Sequence, residues 1–430
     1  MVMTKIGKIG DNDREQRWGP DQKWWVGRMN DSEFVRGCWR FPSEVRLVDA
    51  TLREGEEVPG TRLELTTKLG LAERIVDAGV RELEVGYAGV IDEHFDLIKA
   101  LKKEALPARI SSHTRLYGKE NEWKAEIDRN LEAGADMLTL VGFCNAIGTV
   151  ANPWLPPASV PDRIRNMVEY AKGLGAKVGF GLADVVRTSF ANTLACYGAA
   201  AECGVDRVYI YDGIGALTPE CTEYLTRLFK DITGPGVEIA VHCHNMFGLA
   251  VANSLRALLN GATCVDVVAL GLGDGAGIAA LEEVAGALEV LYGVETGIDL
   301  EALVGLCEAV AQAFGIPMPK TKAVVGENLY RHQNDSHVTA IMRGAWDSWE
   351  IVRPEVFGRK RKLEFGFSKL RRGRSGAIYT KMEQMGYEPS DAELDLVFGR
   401  IRSVTVEKGF ASEEEVEAII RKELGSCARR

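Results

Sequence analysis

VRLVDATLREGEEVPG, residues 45–60, is a β-branched run that stops abruptly at a cluster of charge. Alternating Val, Leu and Asp favour a strand, and Arg53-Glu54-Gly55-Glu56 belongs to the turn after it. The same grammar returns seven times: VRELEVGY (80–87), ARISSHTR (108–115), DMLTLVGF (136–143), AKVGFGLADV (176–185), DRVYIYDGI (206–214), VEIAVHCHN (237–245) and CVDVVALGL (264–272). Amphipathic stretches of about 12 to 18 residues separate the runs. Most runs follow a glycine that closes the preceding helix, so Gly79, Gly134, Gly175, Gly204 and Gly261 are expected in the left-handed conformation of a helix exit. Eight strand–helix units over residues 45–292 predict an α/β fold, a (β/α)8 TIM barrel, with a doubly wound open sheet as the alternative.

Composition agrees with a folded enzyme. The 430 residues are 46% hydrophobic and 27% charged, which rules out a disordered chain. Lys plus Arg number 52 against 62 Asp plus Glu, and a net charge of -10 argues against a nucleic-acid binder. Nine cysteines without a C-x-x-C pair fit a reducing compartment, so the cytoplasm is the expected location. The first thirty residues hold no signal core, and no later segment reaches the ~18 apolar residues of a membrane span.

Outside the barrel, residues 1–44 read as an N-terminal arm. Trp18, Trp24, Trp25 and Trp39 are expected to dock it on the body or on a partner subunit. Residues 293–430 lose the strand rhythm and predict a mostly helical C-terminal region. Within it, GRKRKLEFGFSKLRRGR (358–374) is strongly basic, and a solvated face explains it better than phosphate binding.

Chemistry concentrates at two strand ends. His242 and His244 are two apart in a strand, which puts both imidazoles on one face. A shared metal and a hydrogen-bonded core pair both account for them. Glu54 and Arg53 end the first run, and only the eighth strand separates the first from the seventh, so Glu54, His242 and His244 can meet over the barrel mouth. Such a set with open positions suits a catalytic divalent cation that polarises a carbonyl, with Arg53 stabilising an enolate or alkoxide oxygen.

These segments resemble the DRE-TIM metallolyases. LVDATLREGEEVPG is similar to their opening strand, HCHNMFGLAVANSLRALLNGA to their metal-histidine segment, and ALGLGDGAGIAALEEVAGAL to their eighth strand and glycine turn. The resemblance spans roughly residues 45–380. It implies Glu54, His242 and His244 as ligands of one divalent ion (Zn, Mn, Mg, Co or Fe) and Arg53 as the polarising arginine. VGENLYRHQNDSHV resembles the segment after the barrel in the family's synthases, where a lid histidine enters the partner's barrel. His337 takes that place, with His332 upstream, and a homodimer with exchanged lids is implied. Glu54 after the arginine, with Leu270 and Ile278 around the glycine turn, resembles the homocitrate synthase branch more than isopropylmalate synthase, and the chain is expected to end before a leucine-sensing domain.

Four departures surround the site. Ala183-Asp184 stands where the family has Glu-Asp, Asp212-Gly213 where it has Asp-Thr, Met246 where it has Asp, and Asp274-Gly275 where it has Glu-Arg. The reaction implied is condensation of an acyl-CoA, expected to be acetyl-CoA, with a 2-oxo acid. Arg53 and His337 would be catalytic with Asp184 assisting, and Arg115, His113 and Glu84 would bind substrate. Arg115 in an ordinary salt bridge is the competing assignment. The departures leave two alternatives: an aldolase or lyase on a 2-oxo or 3-hydroxy acid, and a degenerate scaffold barrel. The glycines from Gly271 to Gly277 are a weak candidate anion site, and His94 is expected on the surface of an amphipathic helix.

Overall fold

A computed structural model describes residues 17–425 except 152 and 154; the first sixteen residues of the arm and Cys427 lie outside them. Eight parallel strands close into a barrel: β1 (Arg46–Asp49), β2 (Glu82–Glu84), β3 (Arg109–Arg115), β4 (Met137–Gly142), β5 (Lys177–Leu182), β6 (Arg207–Asp212), β7 (Glu238–Cys243) and β8 (Cys264–Val267). They follow one another in chain order, and β8 pairs with β1 to close the ring, Cys264 opposite Arg46 and Val267 opposite Asp49. The closed barrel expected from the sequence is therefore present, and the open sheet is excluded.

The helix exits fall where the glycines predicted. Gly79, Gly134, Gly175, Gly204 and Gly261 all have positive φ, from 74° to 106°. At Gly79 a second constraint acts, because a Cβ there would lie 2.1 Å from the Gly297 carbonyl oxygen, so any side chain would force two backbone segments apart.

Alternation along the strands sorts the barrel interior into levels. At the N-terminal end Arg207, fully buried, pairs with Glu82 at 2.6 and 3.0 Å and with Glu238 at 2.7 Å, while Arg46 reaches Glu238 at 2.6 Å. Above it lie the apolar and aromatic Val48, Tyr209, Tyr211, Ala240 and Cys264. The charged residues at the strands' C-terminal ends stand above that layer.

The chain forms two compact units, residues 34–318 and residues 319–430 together with the N-terminal segment up to 33. The barrel unit thus runs past the boundary expected at 292. Leu303–Phe314 packs against helix Leu65–Asp77, and the Phe314 ring comes close enough to Gly55 that a Cβ there would meet it at 2.9 Å. The expected arm is also divided. Trp39 packs on Phe41 and Tyr292 in the barrel unit, whereas Trp18 meets Trp346, and Trp25 Nε1 donates to the Glu350 carbonyl, in the other.

That second unit combines a three-stranded sheet, β9 (Arg331–His332), β10 (Lys362–Gly366) and β11 (Phe410–Ser412), with helices Asp335–Met342, Ala377–Gln384, Asp391–Lys408 and Glu413–Leu424. Val338, Phe365, Ile378, Met382, Val397 and Ile420 are among its core residues. The basic run is partly strand, and its charges are answered individually: Arg361 by Glu350, Arg371 by Asp335, Arg372 by Asp395 and Arg374 by Asp391. No described helix is long and apolar enough to cross a membrane. The eight described cysteines are all free thiols.

Candidate metal centre

The end of β1 is shaped by its own side chains. Asp49 accepts from the Thr51 N–H at 2.9 Å and from its hydroxyl at 3.0 Å, and burial raises the Asp49 carboxyl to about 7. Thr51 Oγ1 in turn accepts from Ala269 N at 3.1 Å, tying the turn to the end of β8. The backbone N–H groups of Arg53 and Glu54 both return to the Ala50 carbonyl, and the chain enters a 3-10 turn, Glu54–Glu57. This turn lifts Glu54 over the mouth beside the β7 histidines.

One carboxylate oxygen of Glu54 and one nitrogen each of His242 and His244 lie within 4.8 Å of one another. The two Nε2 atoms are 3.3 Å apart, and each is 3.8 Å from a Glu54 oxygen. Ligands about 2.1 Å from a common tetrahedral ion stand about 3.4 Å apart, so small side-chain rotations close this set on a cation. Asp266 Oδ2, 3.0 Å from His242 Nδ1, anchors that ring with the hydrogen on Nδ1 and leaves the Nε2 lone pair for a metal. Burial pushes the Glu54 carboxyl up, but Arg53 and the two imidazoles outweigh it and hold it below the usual carboxylate range. The residues therefore fit a divalent ion in position, donor type and charge.

Arg53 is clamped by three carboxylates: Glu54 at 2.5 Å, Glu84 at 2.6 Å and Glu57 at 3.0 Å. Burial opposes its charge; Glu84, Glu54 and Glu57 more than reverse that. Its Nη2 nevertheless has no protein partner although it is buried. A fixed, desolvated guanidinium with one free NH2 group is what a developing oxyanion needs. Glu84 is nearly inaccessible and also stands 3.0 Å from His113 Nε2. Burial works against its charge, and Arg53 with His113 brings its pKa far below the ordinary value.

The structure thus gathers Arg53, Glu54, Glu84, His113, His242 and His244. The other sequence candidates are placed differently. Arg115 is in an ion pair with Glu126 at 3.2 Å, on a helix outside the barrel. Asp184 is buried and tied to Arg187 at 2.7 Å and to Asn145 at 2.7 Å. His337 belongs to the second unit, stacked on Trp349 with ring centroids 3.7 Å apart.

Two further expectations are corrected. The glycine turn cradles Glu54, not an external anion: Asp274 N donates to Glu54 Oε1 at 3.0 Å, and a Cβ at Gly273 would stand 2.6 Å from that oxygen. His94 is half-buried, its Nδ1 accepting from Tyr87 N at 3.0 Å, and burial with Lys68 lowers it to about 4. Gly213 has a backbone reason to lack a side chain, because a Cβ would fall 2.7 Å from the Ala183 carbonyl oxygen.

Sequence reasoning missed Glu57, Asp266 and Tyr211. Asp266 was within reach, since it stands one residue past the register pair Val265–Val241, at the level of His242.

Fold and site together define a (β/α)8 barrel carrying a carboxylate–bis-imidazole set at its C-terminal mouth. Residues 44–310 match the HMGL-like family and residues 324–409 the homocitrate synthase post-HMGL domain-like region; the chain belongs to the HMGL-like family. It is 33% identical to homocitrate synthase AksA of Methanopyrus kandleri, over 93% of this chain and 98% of that one. It is 32% identical to (R)-citramalate synthase CimA of Methanocaldococcus jannaschii, over 89% and 75%. Among solved structures, the Bacillus subtilis HMG-CoA lyase superposes with a TM-score of 0.55 over 65% of this chain and 96% of that one. At 19% identity this is a likeness of fold.

Proposed function

We propose that the chain is a metal-dependent acyltransferase of the 2-oxo acid synthase type, homocitrate synthase-like. An acyl-CoA, with acetyl-CoA the expected co-substrate, is joined through its methyl carbon to the carbonyl carbon of a 2-oxo acid, and the thioester of the adduct is hydrolysed. The observation that carries this is the convergence of Glu54, His242 and His244 beside Arg53, in a chain that matches synthases over nearly its whole length. The aldolase or lyase alternative has likeness of fold behind it, but the whole-chain relatives favour the synthase.

Glu54, His242 and His244 would hold one divalent ion, and zinc, manganese, magnesium, cobalt and iron all suit an oxygen–imidazole set. When bound, the cation supplies Lewis-acid polarisation of the 2-oxo acid carbonyl. The chain's own residues do the rest. Glu84 and Glu57 fix the Arg53 guanidinium so that Nη2 donates to the oxygen on which negative charge develops. His337 is the proposed lid acid–base group. Asp184, held by Arg187 and Asn145, assists by shaping the end of β5. Arg115 is left to steer a carboxylate at the rim, in competition with Glu126.

A homodimer with exchanged lid regions and a cytoplasmic location complete the proposal, supported by the match of residues 324–409 and by the free thiols. The test is release of free thiol from acetyl-CoA in the presence of a panel of 2-oxo acids and divalent metals. Release with at least one acid is expected; none with any combination overturns the proposal.

A further inference from the structure

His332 comes just before helix Asp335–Met342 and His337 sits in its first turn, and the second unit treats the two rings in opposite ways. His332 is buried, with its Nε2 2.9 Å from Glu350 Oε1. Glu350 is buried too, and Arg361 meets its two oxygens through Nε at 2.7 Å and Nη2 at 2.5 Å. One edge of the His332 ring is thus engaged in a structural charge network. His337 is half-buried, and among the described residues neither of its ring nitrogens has a hydrogen-bond partner. It is held by a face instead: the indole of Trp349 lies 3.7 Å away between ring centroids and 15° from parallel, and the His332 ring stands edge-on at 6.0 Å.

Face and edge do different work in an imidazole. Protons come and go at the two nitrogens, in the plane of the ring, whereas stacking uses the π faces. A stacked partner therefore fixes the plane and leaves both nitrogens available. Without such a partner, a histidine that makes no hydrogen bond turns about both of its side-chain torsions. An acid–base group needs closer positioning than that.

Trp349 is itself held, through the residues that follow it. Trp25 Nε1 donates to the Glu350 carbonyl at 2.7 Å, and the Trp25 N–H to the Ile351 carbonyl at 2.9 Å. Trp24 bridges to Val352, and the Arg353 N–H donates to the Lys23 carbonyl at 2.8 Å. The N-terminal hairpin, Arg17–Trp18 paired with Trp25–Val26, thus runs along residues 350–353 and fixes the backbone that carries the indole. Glu350 turns inward to His332 and Arg361, while Trp349 remains 52% exposed and adds little to the core.

We propose that Trp349 is a positioning residue that holds the plane of the His337 ring for proton transfer, with the N-terminal hairpin as the brace behind it. This rests on the acid–base role proposed above for His337.

Two measurements on the full-length protein test it. With only six histidines in the chain, isotope-labelled imidazole signals can be separated by NMR, that of His337 being assigned by its loss in His337→Gln. The ring current of a stacked indole is expected to move the His337 ring protons upfield. Trp349→Leu should return them toward the positions of free histidine, and Trp349→Phe should keep part of the shift. In thiol-release assays Trp349→Leu is expected to lower kcat by up to about 100-fold, the scale of a misplaced catalytic group, with KM for the 2-oxo acid and bound metal near wild type. Trp349→Phe should restore most of the rate, and Trp25→Phe, which removes one bond of the brace, should give a smaller loss of kcat. His337 signals that do not move in Trp349→Leu overturn the proposal whatever the activity. Signals that move while kcat is unchanged, in an enzyme that His337→Gln inactivates, overturn the positioning role and leave the acid–base role standing. A His337→Gln enzyme with wild-type kcat overturns both.

Discussion

The barrel buries an arginine at each end, and the two are treated differently. At the closed end Arg207 meets Glu82, Glu238 and the Tyr209 hydroxyl, and none of its polar atoms is left without a partner. At the mouth Arg53 meets three carboxylates and still has Nη2 unmatched, and His113 Nδ1 nearby is unmatched too. An unpaired buried polar atom costs about 1–3 kcal/mol, and an oxygen acceptor bound at the mouth would recover that cost at Arg53 Nη2. One charge cluster is complete within the chain; the other keeps a donor free.

The most decisive way to break this contrast is His242→Ala. Bound divalent metal, measured by elemental analysis of the purified protein, should fall to background together with thiol release, while the fold persists by circular dichroism. Next come matched arginine substitutions. Arg207→Ala strips the partner from buried carboxylates and should lower unfolding free energy by about 3–5 kcal/mol in a denaturant titration. Arg53→Gln should instead lower kcat by about 10²- to 10³-fold, the usual loss for one oxyanion donor. If Arg53→Gln unfolds the protein and spares the rate, the contrast is wrong. Asp266→Asn should weaken metal affinity by about 10- to 100-fold, as measured by competition with a chelator, because the anchor behind His242 is lost.

The mildest effect is one of pH. The folded pKa of Glu84 is depressed, so its stabilising contribution is present above the unfolded carboxylate value and is lost as pH falls through the folded one. The stability gap between wild type and Glu84→Gln should therefore be widest near neutrality and begin to narrow only below about pH 4. A constant gap from neutral to acid pH contradicts the charge network.

Much of this was legible in the sequence because it is local. Strand periods, the glycines at helix exits, and the meeting of Glu54 with His242 and His244 across one intervening strand depend only on spacing and order. What was hidden spans the barrel. Tyr211 reaches His113 only because Gly179 and Gly181 vacate β5, and no reading of one strand shows that. The glycine turn looked like an anion cradle because its own anion, Glu54, is more than two hundred residues away in the chain. Arg115 and Asp184 stand at promising strand ends, yet Glu126 and Arg187, which engage them, come from a helix and a turn that strand patterning does not describe.

The stacked tyrosines have a consequence for traffic. With Tyr209 and Arg207 inaccessible beneath Tyr211, the cylinder is blind at its base, and one opening serves for both arrival and departure. Whatever reacts there must come and go by the same doorway.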